Sequence, residues 1–306
     1  MNITKRSKII MILLILLILL IVISSFIIYK IIHFNNAIQD SQHSKQTVAT
    51  QHKIKAQKPI SIAIFGVDSD ATRAKTHTGQ RTDTIVIASI NPQNEKTELI
   101  SVPRDTYSEI PGIEGHEKMA HAYAYGGPKL AMESLRQNLN VPIDGYMTVD
   151  MDGFQQLIDL CDGVTVTSNA TFNYNGSNFK EGKKVTLSGD KALDYVRSRK
   201  ETGAGGDEGR TARQRQVIEA LGKKLNQSNS LITLNRILKV TENNVQTNLS
   251  LGDLKSLYSN YKPALKNMHK ATIDGENLIE DDGIWYFEAN EDDKSVKINN
   301  YKNNLK

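Results

Sequence analysis

A chain of 306 residues, 39% of them hydrophobic, has room for one large domain with appendages and enough apolar side chains for a core. Its net charge of +4 is concentrated at the start: residues 1–30 carry +4 and residues 31–58 a further +3, leaving −3 for the remainder. That remainder lacks the basic footprint of a nucleic-acid binder, so no nucleic-acid partner is expected, and the lone Cys161 excludes an internal disulfide.

In chain order, Lys5, Arg6 and Lys8 precede an almost unbroken apolar run at 9–29, long enough to cross a bilayer as a helix. No small-residue cleavage site follows it, so it reads as a retained anchor. The positive flank, residues 1–8, stays in the cytoplasm and the bulk of the chain lies outside. Residues 30–58, rich in Gln, Ser, His and Lys, read as a stalk. Residues 59–230 form the main domain, and 231–306 a C-terminal extension packed on it, ending in a polar Asn/Lys tail of disorder-type composition.

Within the main domain, SIAIFGVD and TIVIASI are short apolar runs, and the turn-like NPQNEK separates the second from TELISV. Antiparallel pairing of the last two brings Arg81 and Asp83 beside Arg104 and Asp105; Asp68 joins them if the first run ends at the same edge. Residues 128–140 have helical spacing, GYMTVDM reads as strand, GFQQLIDLC as helix and GVTVTS as strand, a mixed α/β succession. Cys161 reads as a buried helix-end residue. Residues 170–184 form a polar hairpin or loop, and Ser188 is an N-cap for a helix beginning at Gly189. A helix at 251–261 and a strand at 283–288 follow.

Five of the eleven arginines fall in residues 197–216, RSRKETGAGGDEGRTARQRQ. Arginine's planar fork holds phosphate or carboxylate through two parallel N–H bonds and keeps its charge. The glycines at 203–209 let the loop approach an anion closely. In the helix after them, Arg210, Arg213, Gln214, Val217, Ile218, Leu221 and Leu225 share one face, so the first three are predicted to point inward toward a site. Arg215 lies on the other face, within i, i+4 reach of Glu219, and is assigned to solvent. Six inward arginines (81, 104, 197, 199, 210 and 213) outnumber the aspartates near them (68, 83, 105 and 207), which leaves positive charge for a phosphorylated ligand. Magnesium is usually held by one or two carboxylates plus phosphate oxygens, and Asp68 and Asp83 can supply these. No zinc spacing, Walker loop or G-x-S-x-G elbow occurs, and His77, His116 and His121 are scattered.

The segments IFGVDS, QRTDTIVIASI, LISVPRDTYSEIPG, HAYAYGGP, GDKALDYVRSRK and GDEGRTARQRQVI, with the membrane anchor, resemble the LytR-CpsA-Psr family of Gram-positive envelope enzymes. The resemblance implies a central mixed sheet flanked by helices, with an apolar pocket for a lipid tail. It implies an extracytoplasmic phosphotransferase that moves a glycopolymer, of teichoic acid or capsule type, from undecaprenyl pyrophosphate to peptidoglycan and releases polyprenyl phosphate. Arg81, Arg104, Arg197, Arg199, Arg210, Arg213 and Gln214 match the family's pyrophosphate-binding residues, and Asp68 and Asp83 its magnesium (or manganese) ligands. Arg104, Asp105, Arg197 and Asp207 are the catalytic candidates, with either Asp105 or Asp207 as base for the acceptor hydroxyl. One departure is Ala120, two residues after Lys118, where the family often has asparagine. The alternatives are a polyprenyl-pyrophosphate hydrolase and a non-catalytic lipid-binding envelope regulator.

Overall fold

The computed structural model describes residues 45–67, 82–227, 236–237, 239–240, 244–280 and 283–306. The apolar run at 9–29, Asp68, His77 and Arg81 lie outside the described residues. Among the described helices none is long and apolar enough to cross a membrane.

Helix α1 (Lys45–Lys55) leads into β1 (Ile60–Val67), β2 (Thr82–Asn91) and β3 (Lys96–Ser101). The turn between β2 and β3 is closed by the Asn91 side chain, which accepts from the backbone N–H of Gln93 and Asn94 at 3.0 Å each, the hairpin predicted for NPQNEK. Next come β4 (Tyr107–Glu109), β5 (His116–Lys118), the kinked helix α2 (Met119–Leu139), β6 (Gly145–Asp150) and helix α3 (Met151–Leu160). Small strands β7 (Val164–Thr167), β8 (Phe172–Tyr174), β9 (Ser177–Phe179) and β10 (Lys184–Leu187) precede helices α4 (Gly189–Arg197) and α5 (Gly206–Gln227). The chain closes with β11 (Val245–Thr247), α6 (Leu251–Asn260), β12 (Asn267–Thr272), the hairpin β13 (Gly275–Ile279) and β14 (Trp285–Ala289), and α7 (Glu291–Asn303).

The central sheet runs β11-β6-β1-β2-β3-β12. Strand β1 is antiparallel to β2 and parallel to β6, and β12 is parallel to β3, so the sheet is mixed as expected. Period-two alternation sends Ala63, Phe65, Val67, Ile85, Ile87 and Ile100 to one face, where they pack against α2 and α7. Ile62, Ile64, Val86, Ala88 and Leu99 point to the other face, toward α1, α5 and α6. Cover on both faces is why these strands read as nearly continuous apolar runs.

Two polar stretches fold against expectation. The segment read as stalk is helical from Lys45; Ile54 is 1% exposed, and Thr50 Oγ1 donates to the Asp144 carbonyl at 2.8 Å. A single buried stripe was enough to dock it, and its polar outer face hid that stripe. The polar tail forms α7, whose Tyr301 is fully buried with its hydroxyl 2.5 Å from Ser61 Oγ, while Asn304 Nδ2 donates to the Ser89 carbonyl at 2.9 Å. Its buried apolar residues, Ile298 and Tyr301, stand three apart and share one helical face. The hairpin β8–β9, read as polar, buries Phe172 and Phe179. Ser188 precedes α4 as predicted but makes no side-chain cap; Asp159 Oδ1 accepts from Gly189 N at 2.7 Å instead.

Candidate active site

The site grows from one edge of the sheet. Val67 pairs with both Thr82 on β2 and Asp150 on β6, while Val102 N donates to the Ile85 carbonyl at 2.9 Å, so the ends of four strands meet there. Gly66 pairs with Thr84 and Val67 with Thr82, which leaves Asp83 as the extra residue of a β-bulge. A bulge re-aims a side chain, here the carboxylate of Asp83 toward the chain that follows β3. Gly66 lies beside it in a tight spot, where a Cβ would lie 3.0 Å from Thr84 Cβ.

The predicted meeting of Asp83 with Arg104 and Asp105 is present. Arg104 Nη1 ion-pairs with Asp83 Oδ1, Arg104 Nε lies 3.3 Å from Asp105 Oδ2, and Lys118 Nζ is 3.0 Å from Asp105 Oδ1. Burial works against the Arg104 charge, but Asp83, Asp105 and Asp207 outweigh it and hold the guanidinium above the ordinary arginine pKa. The segment is fixed by backbone bonds: Ala120 N donates to the Arg104 carbonyl at 2.9 Å, which ties α2 to the site without a side-chain contact from position 120.

The arginine stretch divides. Helix α4 ends at Arg197, and Ser198 (φ −56°, ψ 130°) turns the chain into an extended path, the local extension that brings Arg199 round. Asp207 Oδ1 lies 3.2 Å from Arg199 Nε and 2.6 Å from Arg210 Nη2. Arg210 is 8% exposed, and its Nε is buried with no hydrogen-bond partner among the described residues. Burial lowers its pKa, Asp207 and Asp83 work the other way, and Arg104 and Arg199 lower it further. Arg104, Arg199, Arg210 and Lys118 therefore share three carboxylates, Asp83, Asp105 and Asp207, with one buried N–H left over, which suits an anion site.

Arg213 does not join that site. It is fully buried, and its donors are taken by carbonyls: Nε to Tyr195 at 2.8 Å, Nη1 to Ala204 at 2.8 Å and Nη2 to Ser198 at 2.5 Å. Its Cζ lies 4.7 Å from the Phe172 ring centroid. The fork caps the negative end of α4 and holds the loop to α5. The loop glycines also shape this clamp: Gly203, Gly205 and Gly206 have positive φ, and a Cβ on Gly209 would lie 2.3 Å from the Ala204 carbonyl oxygen. Arg215 is not in solvent either. It is partly buried and donates to Thr272 Oγ1 on β12, while Glu219 pairs with Lys223 and Lys270. Helical phase locates a face but not the strand that covers it.

Behind the charged mouth lies a cavity of about 620 Å³ between the sheet and helices α3 and α5. Asp83, Asp150, Arg197, Arg210 and Gln214 stand at its polar end; Ile64, Ala88, Met147, Phe154, Ile218 and Leu221 are among its apolar walls. The stripe of α5 predicted as core filler is thus largely cavity wall. Cys161 caps α3 and lines the same space, with its thiol pKa pushed up by burial, as suits a residue that is no nucleophile. Lys118 and the cavity walls were missed as site residues. The small Ala88 in the middle of an apolar strand was the available signal.

Of the two metal candidates only Asp83 is described. Among the described residues no three His, Cys, Asp or Glu side chains gather as a metal cage. A single bulge-presented carboxylate amid arginines fits a magnesium ion that takes its other ligands from phosphate and water, and does not fit an all-protein cage.

A profile of the LytR_cpsA_psr family matches residues 26–304. The polyisoprenyl-teichoic acid–peptidoglycan teichoic acid transferase TagU of Halalkalibacterium halodurans is 42% identical over 223 residues, 73% of this chain and 72% of that protein. The crystal structure of B. subtilis TagV superimposes with a TM-score of 0.69 at 28% identity, over 81% of this chain and 98% of that one. TagT bound to LIIa-WTA does so with a TM-score of 0.67 at 25% identity, over 87% and 94%. With the mixed sheet, the arginine-lined mouth and a match that spans nearly all of the sequence, the chain belongs to the LytR_cpsA_psr family.

Proposed function

We infer that this protein is a phosphotransferase that moves a glycopolymer of teichoic acid type from a polyprenyl pyrophosphate carrier to peptidoglycan. The observation that carries the reading is the join between the arginine-lined mouth, with its unsatisfied Arg210 Nε, and the apolar cavity of about 620 Å³. An amphiphile with a doubly charged head and a hydrocarbon tail matches both halves. The transferase names of relatives such as that of H. halodurans and the solved complex of TagT with LIIa-WTA support the polymer class.

In this reading Arg104, Arg197, Arg199 and Arg210, with Gln214, grip the pyrophosphate, and Arg81 completes the set. Preorganised cations at the departing phosphate stabilise charge as it develops, which is most of what such a transfer demands. The acceptor hydroxyl oxygen bonds to the glycan-linked phosphorus while the bond from that phosphorus to the bridging oxygen breaks. Polyprenyl phosphate leaves with the bridging oxygen, and a phosphodiester forms. The hydroxyl proton passes to Asp105 or Asp207, each of which stands between two cations. Asp83, with Asp68, would hold magnesium, whose chemistry there is to neutralise the phosphate oxygens. The run at 9–29 anchors the protein in the cell membrane by a single pass, with the N-terminus in the cytoplasm and the domain outside.

Full-length protein supplied with magnesium, a polyprenyl-pyrophosphate glycan and peptidoglycan is expected to transfer the glycan. Arg104→Ala and Arg197→Ala are expected to lose transfer while melting as the parent does. Full transfer by both variants would sink the assignment, and phosphate release that ignores the acceptor would identify a hydrolase.

A further inference from the structure

Arg104 has two sides. Toward the cavity it meets Asp83; away from it, Asp105 and then Lys118. Beyond Lys118 stands a group of rings outside the cavity. Lys118 Nζ lies 5.3 Å from the Trp285 ring centroid and 5.8 Å from that of Tyr286. Tyr286 meets Tyr107 edge-on at 5.1 Å, and Tyr107 stacks on His116 at 4.2 Å. The main chain fastens β14 to the site, since Phe287 N donates to the Asp105 carbonyl at 2.9 Å. Cross-strand pairing places Ile279 with Trp285 and Asn277 with Phe287 on one face of the hairpin. Ile279 is 69% exposed, and Trp285 is partly exposed.

We propose that this face, centred on Trp285 with Lys118 and Asp105 at its inner end, is the acceptor subsite, where the N-acetylhexosamine strand of peptidoglycan lies with a pyranose ring on the indole. The proposal rests on the transferase reading above. Entering and leaving oxygens of a phosphoryl transfer stand roughly in line. The leaving polyprenyl phosphate has its chain in the cavity, on the Asp83 side of Arg104, so the hydroxyl arrives from the side of Asp105 and Lys118. A pyranose presents apolar C–H faces and a hydroxyl rim. The former pack on the electron-rich face of an aromatic ring, and Lys118 and Asp105 offer a donor and an acceptor to the latter. A membrane is the poorer occupant, because the hairpin carries Glu276, Glu280 and Glu288, which an anionic leaflet repels.

Trp285 is the chain's single tryptophan, so its emission reports on this face alone. With full-length protein in detergent, peptidoglycan oligosaccharide is expected to shift that emission saturably. Trp285→Ala is expected to raise the acceptor KM on the order of ten-fold while kcat stays within about two-fold, and Trp285→Phe to recover most of the loss. An unchanged acceptor KM in a folded Trp285→Ala protein overturns the proposal. So does an emission that responds to phosphatidylglycerol vesicles and not to the oligosaccharide. If Trp285→Ala does not fold, the titration of the parent protein decides. A parent protein with no transfer at all is a different failure: it removes the transferase reading, and the oligosaccharide titration still tests the subsite.

Discussion

Replacing Arg213 by methionine separates the two arginines that share a face of α5. The substitution keeps much of the volume and removes every donor of the fork, leaving the carbonyls of Tyr195, Ser198 and Ala204 without their partner. Hydrogen bonds to a charged group contribute about 1.5–3 kcal/mol each, but removing the cation also removes its own desolvation cost. Each buried acceptor left unsatisfied costs about 1–3 kcal/mol, so with three carbonyls and the desolvation offset a net loss of about 3–5 kcal/mol is expected. For a domain of this size about 1 kcal/mol moves the melting temperature by roughly 2–4 °C, so a fall on the order of 10 °C is expected. Arg210→Met is the matched control. It removes one of three mutually repelling guanidiniums at the mouth, so its melting temperature is expected to stay level or rise slightly while transfer falls by about a hundred-fold or more. Circular dichroism melts of the two proteins, run beside transfer assays, give the answer. A parental melting temperature for Arg213→Met would refute the assignment of that residue to the loop clamp.

Three further outcomes follow. Ala88→Phe places a ring among the cavity walls; the protein is expected to remain folded and to lose binding of polyprenyl-phosphate lipids, measured by scintillation or native mass spectrometry. Burial raises the pKa of Asp150, which caps α3 through Gly153 N at 2.7 Å. A carboxyl whose folded pKa is raised stabilises most below its unfolded pKa, and that contribution is lost as pH rises through the folded value. Asparagine caps equally well, so any stability advantage of the parent over Asp150→Asn in urea titrations is expected to shrink from acid toward neutral pH; growth of that advantage with pH would contradict the burial argument. Deleting residues 291–306 removes Tyr301 and Asn304 from the sheet and is expected to give protein that resists protease poorly, whereas loss of a dispensable tail would leave digestion unchanged.

What was legible in the sequence was what short-range periodicity encodes. The β2–β3 hairpin followed from its alternation and turn, and with it the convergence of Asp83, Arg104 and Asp105. The inward face of α5 was also correct in phase. Its contents were not distinguishable, because Arg210 and Arg213 have the same helical orientation and differ only in what covers them: an open mouth for one, the end of α4 for the other. Arg215 failed for the same reason, since β12 arrives from more than fifty residues away. The lining of the apolar pocket that the resemblance implied was hidden because an apolar wall and an apolar core have the same composition. Helices α1 and α7 were hidden because one or two buried side chains, aided by hydrogen bonds to the sheet, dock a segment that is otherwise polar.

The size of the cavity bears on where the reaction takes place. About 620 Å³ lies within the range that encloses a drug-sized ligand, roughly 300–1,000 Å³. An undecaprenyl chain of eleven isoprene units exceeds it. If residues 9–29 anchor the protein as proposed, a carrier seated by its head-proximal part would keep its distal units in the bilayer. Carrier and enzyme would then share one surface, with the lipid handed back by sliding out and not by re-insertion from water.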